Sequence, residues 1–333
     1  MEHALPVIFA LVVAFGVAVY VIADGFDLGI GILFPLAPGD AERDEMMNSI
    51  APVWDGNETW LVLGGTLLFG AFPVVYSVVL PSFYIPIMVM LFALIFRGIA
   101  FEFRFRAARF RVVWDWAFCL GSVIAALMQG MMLGSFIGGV KPAEVSGGGI
   151  LNFISGFSVA SGLGTVAGYS LLGATWLIFR TENTVQRFAR RVAPWALDLT
   201  LAFIGLISIW TPLIHPSIAD RWFSMPNIFY LAPVPILTIF LGFSIWRAIP
   251  LQRDARPFIL TILLFLLAFA GLGISIWPYA IPASVTIWQA ASSTPTLIFL
   301  GVGTLIFLPI MIGHLGYAHW LFRGKTASNL YGH

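Results

Sequence analysis

The sequence predicts an all-α integral membrane protein with about nine transmembrane helices, a single polytopic membrane domain over residues 1–333, and three observations predict it. Only 10% of the residues are charged and 59% are hydrophobic, where a soluble domain carries roughly 25% charged residues. Windows of about twenty apolar residues, enough to cross a hydrocarbon core of about 30 Å, can be drawn at 5–34, 53–72, 78–101, 115–140, 151–179, 192–214, 228–246, 257–277 and 295–322. The basic residues keep step with those windows.

Arg43 follows the first window, Arg104, Arg106, Arg109 and Arg111 the third, and Arg180, Arg187, Arg190 and Arg191 the fifth. Arg247, Arg253 and Arg256 follow the seventh, and Arg323 and Lys325 the ninth, so 14 of the 17 basic residues follow odd-numbered spans. Lys141 and Arg221 occupy opposite loops, and Arg97 lies inside a span. The positive-inside rule then places the N-terminus outside and the C-terminus in the cytoplasm. A net charge of +1 without a basic stripe excludes nucleic acid as a partner.

The first span carries no Lys or Arg ahead of it, in Met1-Glu2-His3, and reads as a membrane span rather than a leader. It holds Asp24 and Asp27 in its second half, where the helix dipole opposes negative charge. Gly25 and Gly29 form a small-residue stripe that lets helices approach closely. The second span opens with Asp55 and Glu58 and is interrupted by Gly64, Gly65 and Gly70, with Pro73 just beyond. Each acid pair is spaced by three, so its members share one helical face.

Counting about 1.5 Å per residue from the cytoplasmic edge, Asp27 lies about 10 Å deep, Asp24 about 15 Å, and Asp55 and Glu58 roughly 3–8 Å. Arg97, near the end of the third span, lies about 6 Å in. Intramembrane charges are costly and usually face the bundle interior, pair with one another or line a water path. A file of acids stepping inward from the cytoplasm therefore suits a proton or cation route, with Arg97 as its counter-charge and Asp198 of the sixth span as a further candidate.

The remaining elements carry blander readings. Asp115, flanked by Trp114 and Trp116, reads as part of an interfacial belt. Cys119, the sole cysteine, reads as a small buried hydrophobe. Gly130, Gly134 and Gly138 form a second small-residue stripe, read as packing within the chain, and Met128, Met131 and Met132 also read as packing. The outer connections around 140–149, 215–222 and 278–284 are too short for a soluble domain. Of the histidines, His3 and His333 are terminal, His215 lies in an outer loop, and His314 and His319 fall near the end of the ninth span. Axial haem ligation needs an imidazole held in a pocket, and no haem or metal ligand is assigned to this chain.

Three blocks carry a resemblance: Ala23-Asp-Gly-Phe-Asp-Leu-Gly-Ile-Gly, Asn48-Ser-Ile-Ala-Pro-Val-Trp-Asp-Gly-Asn-Glu-Thr-Trp and Phe96-Arg-Gly-Ile-Ala-Phe-Glu-Phe-Arg. With Trp114-Asp-Trp, Trp277-Pro-Tyr-Ala-Ile-Pro-Ala-Ser and Thr286-Ile-Trp-Gln-Ala-Ala-Ser-Ser, the chain resembles subunit II of the cytochrome bd quinol oxidases, and its length and the Gly-Ile-Gly-Ile-Leu-Phe-Pro segment look nearest to the cyanide-insensitive branch. The resemblance implies nine spans in a bacterial inner membrane and a heterodimer with a subunit I that holds two b-type haems, haem d and the quinol site. It also implies quinol and oxygen as substrates, bound lipids, and room for a bound quinone and a small single-span accessory subunit. By resemblance Asp55, with Asp27 beside it, serves a proton path, and Trp60 and Arg97 border an oxygen route. Gln289 departs from relatives that have an acid there, and His314 and His319 match no family pattern.

Together these expectations give a mechanism in which Asp24, Asp27, Asp55 and Glu58 handle protons, Arg97 tunes their charge, and Trp54 and Trp60 shape the pathway. The alternatives are a secondary transporter or cation channel, for which glycine-broken helices and intramembrane acids would also serve, and a purely structural assembly subunit.

Overall fold

The computed structural model describes residues 3–106, 108–139, 151–251 and 253–326. The outer loop that contains Lys141, and the terminal His333, lie outside the described residues.

Helix α1 spans Ala4–Leu33 and is followed by a 3-10 turn and a short amphipathic helix, α2, Asp40–Asn48. Helices α3 (Trp54–Ala71), α4 (Pro73–Ser82) and α5 (Tyr84–Arg104) come next, then α6 (Arg111–Ile137) and α7 (Gly156–Arg180). The second half comprises α8 (Asn183–Ile214), α9 (Pro216–Phe223), α10 (Asn227–Leu231), α11 (Pro233–Ala248) and α12 (Ala255–Ile276). A two-stranded antiparallel hairpin of β1 (Tyr279–Ile281) and β2 (Val285–Thr286) leads through α13 (Ile287–Ala290) into α14 (Thr294–Leu321).

Among the described residues, 8 helices are long and apolar enough to cross a membrane. The expected window at 53–72 is α3, an 18-residue helix whose opening turns, Trp-Asp-Gly-Asn-Glu, are too polar to qualify by hydropathy. The expected span at 78–101 breaks at Phe83, so its first residues belong to α4 and its body, α5, runs on to Arg104. The outer connection at 215–222 is not a bare loop, because Pro216 at the first helical position starts α9.

Helix α7 sits at the centre, with 72% of its apolar window buried, whereas α14 lies at the edge with 6% buried. Its start is fixed by a reciprocal cap, in which Ser155 and Ser158 satisfy each other's backbone N–H groups. Helices α1, α6, α8 and α12 all pack on α7. The α1–α7 crossing is a backbone contact: a Cβ on Gly29 would lie 1.8 Å from the Tyr169 carbonyl oxygen. The glycine stripe of α6 likewise packs within the chain, with Gly130 and Gly134 against Ser161 of α7. Cys119 is buried as expected.

Candidate functional site

Asp24 and Asp27 lie on the α1 face that meets α3 and α5, and both are buried. Arg97 enters from α5 with its side chain 2% exposed: Nη1 donates to Asp24 Oδ1 at 2.7 Å and Nη2 donates to Glu58 of α3. Asp27 is held differently. Asn57 Nδ2 donates to Asp27 Oδ2 at 2.8 Å and to the Ala23 carbonyl at 3.3 Å. One guanidinium thus ties three helices together and faces Asp24, Asp27 and Glu58, while Asp27 has a neutral amide as its direct partner.

Arg97 holds this position because α6 comes close behind it. A Cβ on Gly121 would lie 2.7 Å from the Ala93 carbonyl oxygen and 3.2 Å from Arg97 Cβ, so glycine is the residue that permits the approach. The acids leave buried acceptors over: among the described residues, Asp24 Oδ2, Asp27 Oδ1 and Asn57 Oδ1 have no hydrogen-bond partner. A buried acceptor without a donor costs about 1–3 kcal/mol. A carboxyl oxygen in that condition is suited to taking and giving a proton.

The structure brings Asp24, Asp27, Glu58 and Arg97 together, as the sequence suggested, and adds Asn57. Asp55 stands apart: it is exposed in the first turn of α3, where the helix dipole favours its charge. Trp54 is half-buried and stacks on Phe101 with ring centroids 5.4 Å apart, and Trp60 is buried edge-on to Phe15 at 5.9 Å.

Two sequence expectations need correction. Asp198 does not join the cluster, because α8 turns it outward, exposed, away from α7. Asp115 is not a belt residue. It is buried and accepts from Arg104 Nε at 2.5 Å, and Arg104, itself buried, also bonds Asp44 of α2 and lies over the Phe34 ring at 5.1 Å. Arg111 binds both oxygens of Asp44 at 2.7 and 2.8 Å, and Arg43 reaches Asp40 at 2.9 Å and Asp115 at 3.5 Å.

A third ion network ties the C-terminal segment down. Asp254 accepts from Arg190 and from Lys325, each at 2.6 Å, and Lys325 also donates to the Thr181 carbonyl at 3.0 Å. Partial burial pushes the Asp254 carboxyl up, but the Lys325 and Arg190 charges outweigh it and hold the group below the usual carboxylate range. Glu45 on α2 goes the other way: burial pushes it up and the Glu42 charge adds to the rise, which a hydrogen bond from the Glu182 backbone offsets only in part.

His319 Nδ1 lies 2.9 Å from the Leu315 carbonyl oxygen and its ring packs edge-on against Trp176 and Phe26, leaving a space of about 10 Å³ beside it. His314 is exposed next to Gly56. A larger cavity of about 420 Å³ opens where α9 and α10 meet the end of α12, lined by Arg221, Asn227, Tyr230, Leu231, Ile274 and Trp277. Gln289 caps α13: its Oε1 accepts from the Thr286 N–H at 2.9 Å.

The family model for cytochrome bd terminal oxidase subunit II matches residues 5–322. The chain belongs to that family. It is 28% identical to the cytochrome bd-I ubiquinol oxidase subunit 2 of Escherichia coli K12 over 345 aligned positions, covering 92% of this chain and 91% of that one. It is 27% identical to the cytochrome bd ubiquinol oxidase subunit 2 of Bacillus subtilis, with 91% of each chain covered. The fold of this subunit II matches a chain in the bd oxidase structure from Geobacillus thermodenitrificans with a TM-score of 0.80 at 20% identity, over 96% of this chain and 98% of that chain.

Sequence reading missed Asn57, Tyr20, Gln129 and the buried role of Arg104. Asn57 lies inside the Trp-Asp-Gly-Asn-Glu block, and Gln129 is a lone amide in an apolar span. Both signals were present in residues that carry no charge.

Proposed function

We propose that the buried carboxylates of this chain carry protons from the cytoplasmic side toward the oxygen-reducing centre of the oxidase. The chain is subunit II of a cytochrome bd quinol oxidase, a multi-pass protein of the bacterial inner membrane and part of an oxidoreductase complex with a subunit I. The transporter alternative finds no support beside a family match that runs from the first span to the last.

In this reading subunit I holds two b-type haems and haem d, which pass electrons from quinol to oxygen. No step is assigned to them in this chain. Reduction of one oxygen molecule to water consumes four protons and four electrons. Protons drawn from the cytoplasm make the reaction charge the membrane without a pump.

The carrying observation is the imbalance of the site: one buried arginine faces three carboxyls, and Asp24 Oδ2 and Asp27 Oδ1 are left unpartnered. Asp55, exposed at the start of α3, receives protons from water, and Glu58, at 27% side-chain exposure, passes them inward. Asp27 and Asp24 hold them in the interior. Arg97 keeps the acids from repelling one another, and Trp54 and Trp60 wall the route and the approach of oxygen. The N-terminus faces outside and the C-terminus inside. Lipids, a small single-span subunit and a bound quinone belong to the same proposal, and the cavity beside Arg221 has the volume and mixed lining that a quinone head group requires.

The test is Asp55→Asn in the assembled complex. Quinol-driven oxygen uptake per haem is expected to fall several-fold with the haem spectrum retained. Uptake equal to the parent complex would remove Asp55 from the path.

A further inference from the structure

A hydrogen-bonded line of neutral groups runs across three helices one turn of α1 from the acid cluster. Tyr20, four residues before Asp24 on the same face of α1, is buried. Its hydroxyl oxygen accepts from Gln129 Nε2 of α6 at 2.7 Å, and Gln129 Oε1 accepts from the Tyr169 hydroxyl of α7 at 2.7 Å. The amide is therefore held at both ends by phenols from two other helices.

The direction of these bonds matters. An amide offers donors only at nitrogen and acceptors only at oxygen. With Gln129 donating to Tyr20, the Tyr20 hydroxyl keeps its own proton to give, and Asp24 Oδ2 is a buried acceptor that lacks a donor. A free donor thus stands beside a free acceptor. Turning the amide over would spend the Tyr20 proton on Gln129 Oε1 and leave Asp24 Oδ2 with nothing. The line Tyr169, Gln129, Tyr20, Asp24 has one internally consistent sense, and it ends on the carboxylate.

We propose that Gln129 is a positioning residue for the oxidase reaction, which orients the Tyr20 hydroxyl as a donor to Asp24 and so sets the readiness of that carboxyl to exchange a proton. It acts through Tyr20 and touches no reacting atom. The charged and titratable groups facing Asp24 are Arg97 from α5, Glu58 from α3, Tyr169 from α7, and Asp27 and Tyr20 from its own helix. The α6 helix supplies the neutral Gln129. The inference rests on the reading of Asp24 as a proton carrier.

The experiment compares Gln129→Leu, Tyr20→Phe, Tyr169→Phe and Asp24→Asn in the assembled heterodimer, with haem content and spectrum as the check on folding. Its readout is the pH profile of quinol-driven oxygen uptake per haem. Gln129→Leu and Tyr20→Phe are expected to move the midpoint of the profile in the same direction by at least half a pH unit. Their double variant should move it no further, because both act through one bond. Tyr169→Phe keeps the Gln129 to Tyr20 bond and is expected to give a smaller shift of the same sign. Profiles that superimpose on the parent, or additive shifts in the double variant, would overturn the proposal. Asp24→Asn separates the two levels: if it slows uptake while the other three change nothing, only this inference fails. If Asp24→Asn leaves uptake unchanged, the carrier role of Asp24 fails with it. Should Gln129→Leu not assemble, Tyr20→Phe, which deletes a single oxygen, decides the matter alone.

Discussion

The charge clusters around Arg104 and around Arg97 are built on opposite terms. Around Arg104 the arginines Arg43, Arg104 and Arg111 meet Asp40, Asp44 and Asp115, and each carboxylate has a guanidinium partner. Around Arg97 a single guanidinium serves Asp24 and Glu58, and Asp27 makes do with an amide. A balanced network resists protonation and fixes helix ends. An unbalanced one keeps carboxyl oxygens in reserve, which a proton route needs.

The largest expected effects come from cutting each network at its hub. Arg97→Leu strands the buried Asp24 and the half-buried Glu58, and removing one partner of a buried pair costs about 3–5 kcal/mol. Little assembled complex is expected, measured as haem-bearing protein recovered through a tag on this chain. Arg104→Leu is expected to lower the melting temperature of the complex by a comparable free energy, yet leave uptake per haem near the parent value in what survives. Low uptake in intact Arg104→Leu complex would break the distinction between the two clusters. Asp27→Asn sharpens it from the other side: the shape is kept and the proton site is lost, so uptake should fall several-fold with the melting temperature nearly unmoved.

A packing change comes next. Gly29→Ala would push α1 off the Tyr169 backbone and is expected to cost about 1–3 kcal/mol through overpacking, seen as a lower melting temperature. The smallest effects are at the helix ends outside the apolar spans. Asp254, held below the usual carboxylate range, contributes stability that is fully present above its unfolded value near 4 and is lost as pH falls through its lower folded value. Asp254→Asn should therefore cost about 0.5–1 kcal/mol at pH 7 and nothing at the acid end of that window. Glu45 has the opposite sign: its raised carboxyl favours the protonated form in the fold, so its ionisation destabilises as pH rises through the folded value. Glu45→Gln is expected to raise the melting temperature slightly at pH 7, with the gain vanishing below about pH 4.

Most of the membrane architecture was legible because hydropathy and arginine placement report the bilayer directly. The break at Phe83 was not, because it falls inside a run that is apolar on both sides and is marked only by Phe83 packing in one cluster with Met131 and Phe153. Asp24, Asp27, Glu58 and Arg97 could be brought together from depth alone, since helices starting at a known face fix how deep each residue lies. Depth does not give rotation, which is why Asp198 was expected inside and stands outside. Arg104 was counted only as one of the basic residues after the third span, and Asp115 was read as interfacial from its flanking Trp114 and Trp116; here Arg43 and Asp44 of α2 reach back to them, and both are buried. Tyr20, Asn57 and Gln129 escaped notice because neutral polar groups leave no mark on charge or parity.

The central claim is that the unbalanced cluster conducts. The measurement that tests it most directly is the rate of membrane-potential build-up and the rate of oxygen uptake, each per haem, in vesicles holding the purified heterodimer, for the parent and for Asp24→Asn with Asp27→Asn. The account predicts that charging and uptake fall together by several-fold while the haem spectrum is unchanged. A double variant that takes up oxygen and charges the membrane at the parent rate would contradict it.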